Sequence, residues 1–117
     1  MDPESEYPGK LDFTKHNHDY EAVVTEVKSI PISSTSEVST TIRGWPVDFK
    51  KDHAGNYTIA ITVHDYGHAG CVGYLYSDGP FKYISGNNYT NIEAPGDLWT
   101  TGEPVSAHWI VIECNLH

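Results

Sequence analysis

The chain has 117 residues, of which 38% are hydrophobic and 12% aromatic, with eight tyrosines and three tryptophans. That length fits one domain with a real core, and the aromatic content argues against disorder. Sixteen acidic residues against seven lysines and arginines leave a net charge of −9, which excludes the clustered basic surface that nucleic acids and anionic membranes require. No apolar run is long enough to span a bilayer, so membrane insertion is not expected.

Residues 1–15 carry Pro3, Pro8 and Gly9 with scattered charge and no periodicity. They read as a flexible N-terminal arm ahead of a single domain at 16–117. The opening MDPESEYPGK has neither a basic n-region nor an apolar h-region, so no signal peptide is expected in it. The expectation is a mature secreted or cell-surface protein, with a cytoplasmic one as the alternative.

Residues 21–30, EAVVTEVKSI, are dense in β-branched side chains and predict a first strand. Pro31 and the polar run 33–36 break it. A second strand is predicted at 38–43, with Val38, Thr40 and Ile42 on one face. Gly44-Trp45-Pro46 bends or ends that strand, and Val47 and Phe49 extend it along an edge, since proline has no N–H for an interior ladder. A polar loop at 50–56 turns at Gly55 and leads to the clearest strand, 57–63. There Tyr57, Ile59, Ile61 and Val63 alternate with Thr58, Ala60, Thr62 and His64.

After a loop at 65–70, residues 71–77 read as a strand. Ser77-Asp78-Gly79-Pro80 reads as a tight turn into a hairpin partner at 81–84. The turn-rich stretch 86–97 holds a strand piece near Tyr89, another falls at Leu98-Trp99, and 105–114 alternates as a closing strand. No apolar stripe at helical spacing, capped at both ends, stands out. About seven or eight short strands predict an all-β chain, a single-domain antiparallel β-sandwich of jelly-roll type, with a small β-barrel as alternative. Exposed edges of such a sheet allow a homo-oligomer, with no symmetry set by the sequence.

Cys71 and Cys114 both fall in strand segments. A disulfide between them is preferred over two small buried thiols, because such a bridge suits a short tyrosine-rich chain in an oxidising compartment. Asn56-Tyr57-Thr58 and Asn88-Tyr89-Thr90 match the N-glycosylation acceptor pattern.

Three groups of residues bear on function. His16-Asn17-His18, followed by Glu21, resembles the first motif of the cupin family, whose β-barrels hold a metal with two histidines and a glutamate. An H-x-H pair on a strand puts both imidazoles on one face. Ala94-Pro95-Gly96 leads to Trp99 rather than to the histidine of that family's later motif. His64-Asp65 with His68 forms a second polar loop able to take a divalent metal ion or move protons. Against both stands the ordinary reading, in which these histidines are surface residues. No nucleophile elbow, catalytic cysteine signature or phosphate-binding loop occurs, so no catalytic residue is assigned and no cofactor is required.

The third group is Trp45, Asp78, Tyr83, Asn87, Asn88, Tyr89, Asp97 and Trp99. Aromatic faces beside Asn and Asp groups suit a sugar, the ring stacking on C–H surface while the polar groups read hydroxyls. The segment 70–99 is similar to the hairpin region of small bacterial galactose-binding, calcium-dependent β-sandwich lectins. The likeness rests on its glycine-led strand, its Asp78-Gly79-Pro80-Phe81 turn and its Ala94-Pro95-Gly96 step. The calcium-binding cluster of those lectins has no counterpart here, so no site is carried over from them. The sequence therefore predicts a non-catalytic, lectin-like module for carbohydrate or another small polar ligand. The alternatives are a metal-dependent cupin-like enzyme and a protein-interaction module such as a secreted effector.

Overall fold

The computed structural model describes residues 10–32, 37–65, 71–79 and 99–114, with side chains at 12–32, 37–64, 71–79 and 104–113. The strand expected at 21–30 is instead part of a helix, α1 (Lys10–Lys28). Phe13, Tyr20 and Val27 recur seven residues apart, with Val23 and Val24 between them, which makes one stripe on a 3.6-residue helix. All five are buried, whereas Thr14, Lys15, His18, Thr25 and Glu26 face outward. A β-branched residue loses at most about 0.7 kcal/mol in a helix relative to alanine. Burying its side chain gains roughly 1.5–3 kcal/mol, so packing overrides propensity. Residues 10–15, assigned to the arm from sequence, belong to this helix, although the backbone leaves helical geometry at His16 (φ −119°, ψ 16°). The Ser29 and Ile30 N–H groups donate to Glu26 and Val27 carbonyls in a tightened last turn, and Pro31 stops the helix.

Six strands follow: β1 (Val38–Ile42), β2 (Trp45–Lys51), β3 (Tyr57–Asp65), β4 (Cys71–Ser77), β5 (Trp99–Ser106) and β6 (Trp109–Cys114). They form one antiparallel sheet in the order β1-β2-β3-β4-β6-β5. The chain is thus mostly β, but the described residues form neither a sandwich or jelly roll nor a barrel. The sheet is open, with β1 and β5 at opposite edges, and α1 packs on one of its faces. The hairpin partner expected at 81–84 and the strand piece at Tyr89 lie outside the described residues.

Turn chemistry accounts for the pairing. Arg43 (φ 55°) and Gly44 (φ 86°) make the two-residue β1–β2 turn, both with the positive φ of a type I′ hairpin. β2 is an interior strand, not the edge expected from Pro46. That proline lies opposite Thr41 of β1, and the ladder to β3 starts only at Val47, so its missing N–H costs no bond. The single strand expected at 105–114 is a hairpin broken at Ala107-His108. His108 ties this turn to β4: its carbonyl accepts from Ser77 N–H at 3.0 Å, and its Nδ1 donates to the Ser77 carbonyl at 2.9 Å.

The core lies between α1 and the sheet face carrying Val47, Phe49, Ile59, Ile61, Tyr74, Tyr76 and Trp109. Ala60, Leu75, Ile110 and Ile112 form a second buried cluster, aligned in register on the opposite face. A bulge between Thr62 and His64 interrupts the alternation of β3. Beyond it His64 lies opposite Val72, on the helix-side face, and no longer shares a face with Thr58, Ala60 and Thr62. Beside the bulge a Cβ on Gly73 would sit 1.8 Å from the Ile61 carbonyl oxygen. Gly73→Ala is therefore expected to cost more than about 4 kcal/mol in urea denaturation, the range kept for severe core damage. Gly44→Ala, where a Cβ meets nothing within 4 Å, is expected to lose far less.

Candidate functional site

Three polar contacts set among aromatic rings join α1 to the sheet. At the N-terminal end Asp12 Oδ2 accepts from Tyr20 OH at 2.9 Å and from Tyr74 OH at 2.7 Å. Both phenols are essentially fully buried. Burial pushes the Tyr20 hydroxyl well above its ordinary range, and its hydrogen bond to Asp12 adds to the rise. His16 Nε2 stands 3.9 Å from Asp12 Oδ1 on the solvent side. At mid-helix the Trp109 indole N–H donates to Glu21 Oε1 at 2.6 Å across 88 residues of chain.

At the C-terminal end Lys28 Nζ donates to Asp78 Oδ1 at 2.9 Å and to Tyr76 OH at 3.3 Å. The Tyr76 hydroxyl donates to the same Asp78 oxygen at 2.5 Å, while Asp78 Oδ2 accepts the Tyr57 backbone N–H at 2.8 Å. The Lys28 ammonium also stands over the Tyr57 and Tyr76 rings, 5.7 and 5.2 Å from their centroids. Partial burial pushes the Asp78 carboxyl up, but the hydrogen bonds from Lys28, Tyr57 and Tyr76 outweigh it and hold the group below the usual carboxylate range. The bond to Asp78 raises the Lys28 ammonium in turn.

These contacts hold secondary structure elements together. Among the described residues no buried side-chain polar atom lacks a hydrogen-bond partner. None of Asp12, Glu21 and Lys28 was singled out from sequence as a contact residue. Their signal is tertiary: each lies on a helix whose sequence reads as arm and strand, and each partner is 48 or more residues away or is reached through the helix itself.

The residues picked from sequence fall in several places. Trp45 is half-buried with its ring 5.0 Å from Tyr20, inside the core, and Asp78 is the hub of the C-terminal contact. Tyr83, Asn87, Asn88, Tyr89, Asp97 and His68 lie outside the described residues, and Trp99 is placed by its backbone alone, in β5 opposite Cys114. His16 and His18 are on α1 rather than on a strand. Two residues apart on a helix is about 200° around the axis, so they do not share a face. Glu21, the third member of the cupin-like motif, takes the Trp109 indole N–H. His64 sits on the helix-side face of β3, and Cys71 is directly opposite Cys114 across β4 and β6. Among the described residues no three His, Cys, Asp or Glu side chains come together as metal ligands.

Comparison with protein-family models, curated proteins and solved structures gives no significant match over this chain.

The sign of the Asp78 shift fixes a pH dependence. A carboxyl held below its unfolded value contributes stability above roughly pH 3.9, and loses it as pH falls through the lower folded value. Chemical denaturation in that acid range is expected to show a shallower loss of stability for Asp78→Asn than for the wild type. Equal acid limbs would contradict the Lys28–Asp78 contact as a source of stability.

Proposed function

We propose that this protein is a non-catalytic binding module for carbohydrate or another small polar ligand, taken up by the segment joining β4 to β5. The observation that carries the reading is the anchoring of that segment. It leaves β4 at Asp78, fixed by Lys28, Tyr76 and the Tyr57 backbone. It returns to the sheet at Trp99, opposite Cys114 at the other end of the β4–β6 ladder. Tyr83, Asn87, Asn88, Tyr89 and Asp97 fall between these two points. Aromatic and amide-bearing segments carried on a rigid scaffold are where polar ligands are usually held. Trp45 and Asp78 serve the fold in this reading, and the other residues form the ligand set. A printed glycan array is expected to show binding to at least one glycan class. Asn88→Ala or Tyr89→Ala should weaken it at least about tenfold, the loss of ~1.4 kcal/mol, with circular dichroism unchanged. Silence across the array, or binding indifferent to both substitutions, refutes the sugar and favours a protein partner.

The cysteines bear on where the module works. Opposite residues of an antiparallel pair have Cα atoms about 4.5–5.5 Å apart, inside the range a disulfide spans, and Cys71 and Cys114 are such a pair. We infer a bridge between them and a secreted or cell-surface location that lets it persist. Closing a loop of about 43 residues stabilises by roughly 3–4 kcal/mol in the chain-entropy account. Intact mass without reductant is expected to be lower than the reduced mass by two hydrogens, and dithiothreitol should lower the thermal midpoint. Identical masses and midpoints would remove the bridge.

A further inference from the structure

The two edges of the sheet are finished differently. β5 carries Gly102, Glu103 and Pro104 and pairs with β6 through two register shifts, the devices that blunt an edge against further pairing. β1 has none of them. Its Val38-Ser39-Thr40-Thr41-Ile42 contains no charge and no proline, is rich in strand-forming side chains, and meets β2 in unbroken register. In a hairpin with a two-residue turn the flanking residues, here Ile42 and Trp45, form a hydrogen-bonded pair. Ile42, Thr40 and Val38 therefore turn their backbone groups to β2, and Ser39 and Thr41 turn theirs outward from the sheet.

We propose that β1 is a dimerisation edge occupied by β1 of a second copy of this chain, paired antiparallel about a two-fold axis at Thr40. Outward-turned residues bond only to outward-turned residues, which leaves few registers. With Thr40 on the axis, Ser39 meets the partner's Thr41, and symmetry doubles their two N–H···O bonds to four. The same register sets Val38 against the partner's Ile42 on the helix-side face and directs Glu37 toward the turn that holds the partner's Arg43. With Ser39 on the axis Ile42 would face residue 36, beyond the strand. With Thr41 there, Val38 would face Gly44. Only the Thr40 register matches all five residues, apolar to apolar and hydroxyl to hydroxyl. This self-complementarity is the argument for a second copy over a foreign strand.

The axis stands perpendicular to the sheet, so the two sheets join edge to edge and both helices lie on one face. Each copy carries a net charge of −9, and their mutual repulsion is screened beyond about 8 Å at physiological ionic strength.

Sedimentation velocity on the full chain across a dilution series is expected to show a monomer–dimer equilibrium. Thr41→Pro removes an outward N–H while leaving the β2 ladder intact, and should yield monomer with unchanged circular dichroism. In the Thr40 register a cysteine at 40 faces its own copy across a non-hydrogen-bonded pair, about 4.5 Å between Cα atoms and within disulfide reach. Thr40→Cys should therefore give a covalent dimer on mild oxidation, over the wild-type background, while Ser39→Cys and Thr41→Cys do not. A chain that is monomeric at every concentration, or a dimer that survives in folded Thr41→Pro, overturns the proposal. So does cross-linking through position 39 or 41 instead of 40. If Thr41→Pro loses its fold, the cross-linking pattern alone decides.

Discussion

The fold depends on Trp109. Its side chain is 1% exposed, its ring lies 5.3 Å from both Phe13 and Tyr76, and its indole N–H is bonded to Glu21. An open sheet with an apolar face cannot stand in water without a cover, and here the cover is an amphipathic helix. Tyr20 and Tyr74 complete the contact at 6.3 and 6.5 Å from the same ring. Large rings carry much apolar area, but tyrosine and tryptophan also bring an O–H or N–H into the interior, where an unpaired donor is costly. The carboxylates of Asp12 and Glu21 meet that need.

The same polar contacts decide how the helix lies. Hydrophobic burial is non-directional, and a ring-lined face accepts a helix in more than one orientation. Asp12 bonded to Tyr74, Glu21 to Trp109 and Lys28 to Asp78 tie three points along α1 to β4, to β6 and to the end of β4. Arg43 adds a surface tie, its Nε donating to Glu26 at 3.1 Å with Asp19 at 3.7 Å, so the β1–β2 turn is also joined to the helix. Exposed pairs of this kind contribute little energy each. Their effect is on register, because a shift of one residue along the helix would rotate every tie away from its partner.

What was legible in the sequence was local. β3 and β4 were found nearly to the residue, because Ile59, Ile61, Tyr74 and Tyr76 alternate with the opposite face at period two. The helix is hidden for a physical reason: Val23, Val24, Thr25 and Val27 are strand formers by propensity, and burial of the three valines under the sheet reverses that preference. The seven-residue spacing of Phe13, Tyr20 and Val27 was the available clue. Ala107-His108 carries no glycine, proline or asparagine to mark a turn, so the end of β5 reads as one strand with β6, apart from the piece at Leu98-Trp99. The bulge at Val63, which moves His64 to the other face, depends on the pairing with Val72 and Gly73 and leaves no mark in β3 alone. The ties from α1 were out of reach without the helix they stand on.

The Glu21–Trp109 bond joins positions 88 residues apart, and α1 is the first of the described elements while β6 is the last. During synthesis α1 emerges with its valines and aromatic rings facing a sheet that does not yet exist. It has no complete docking surface until Trp109 has been made, so this closure is among the longest-range contacts of the described residues and waits for β6. Until β6 is made, the apolar stripe of α1 stays uncovered beside the strands already formed. The chain's vulnerability to misassembly is greatest before β6 is in place.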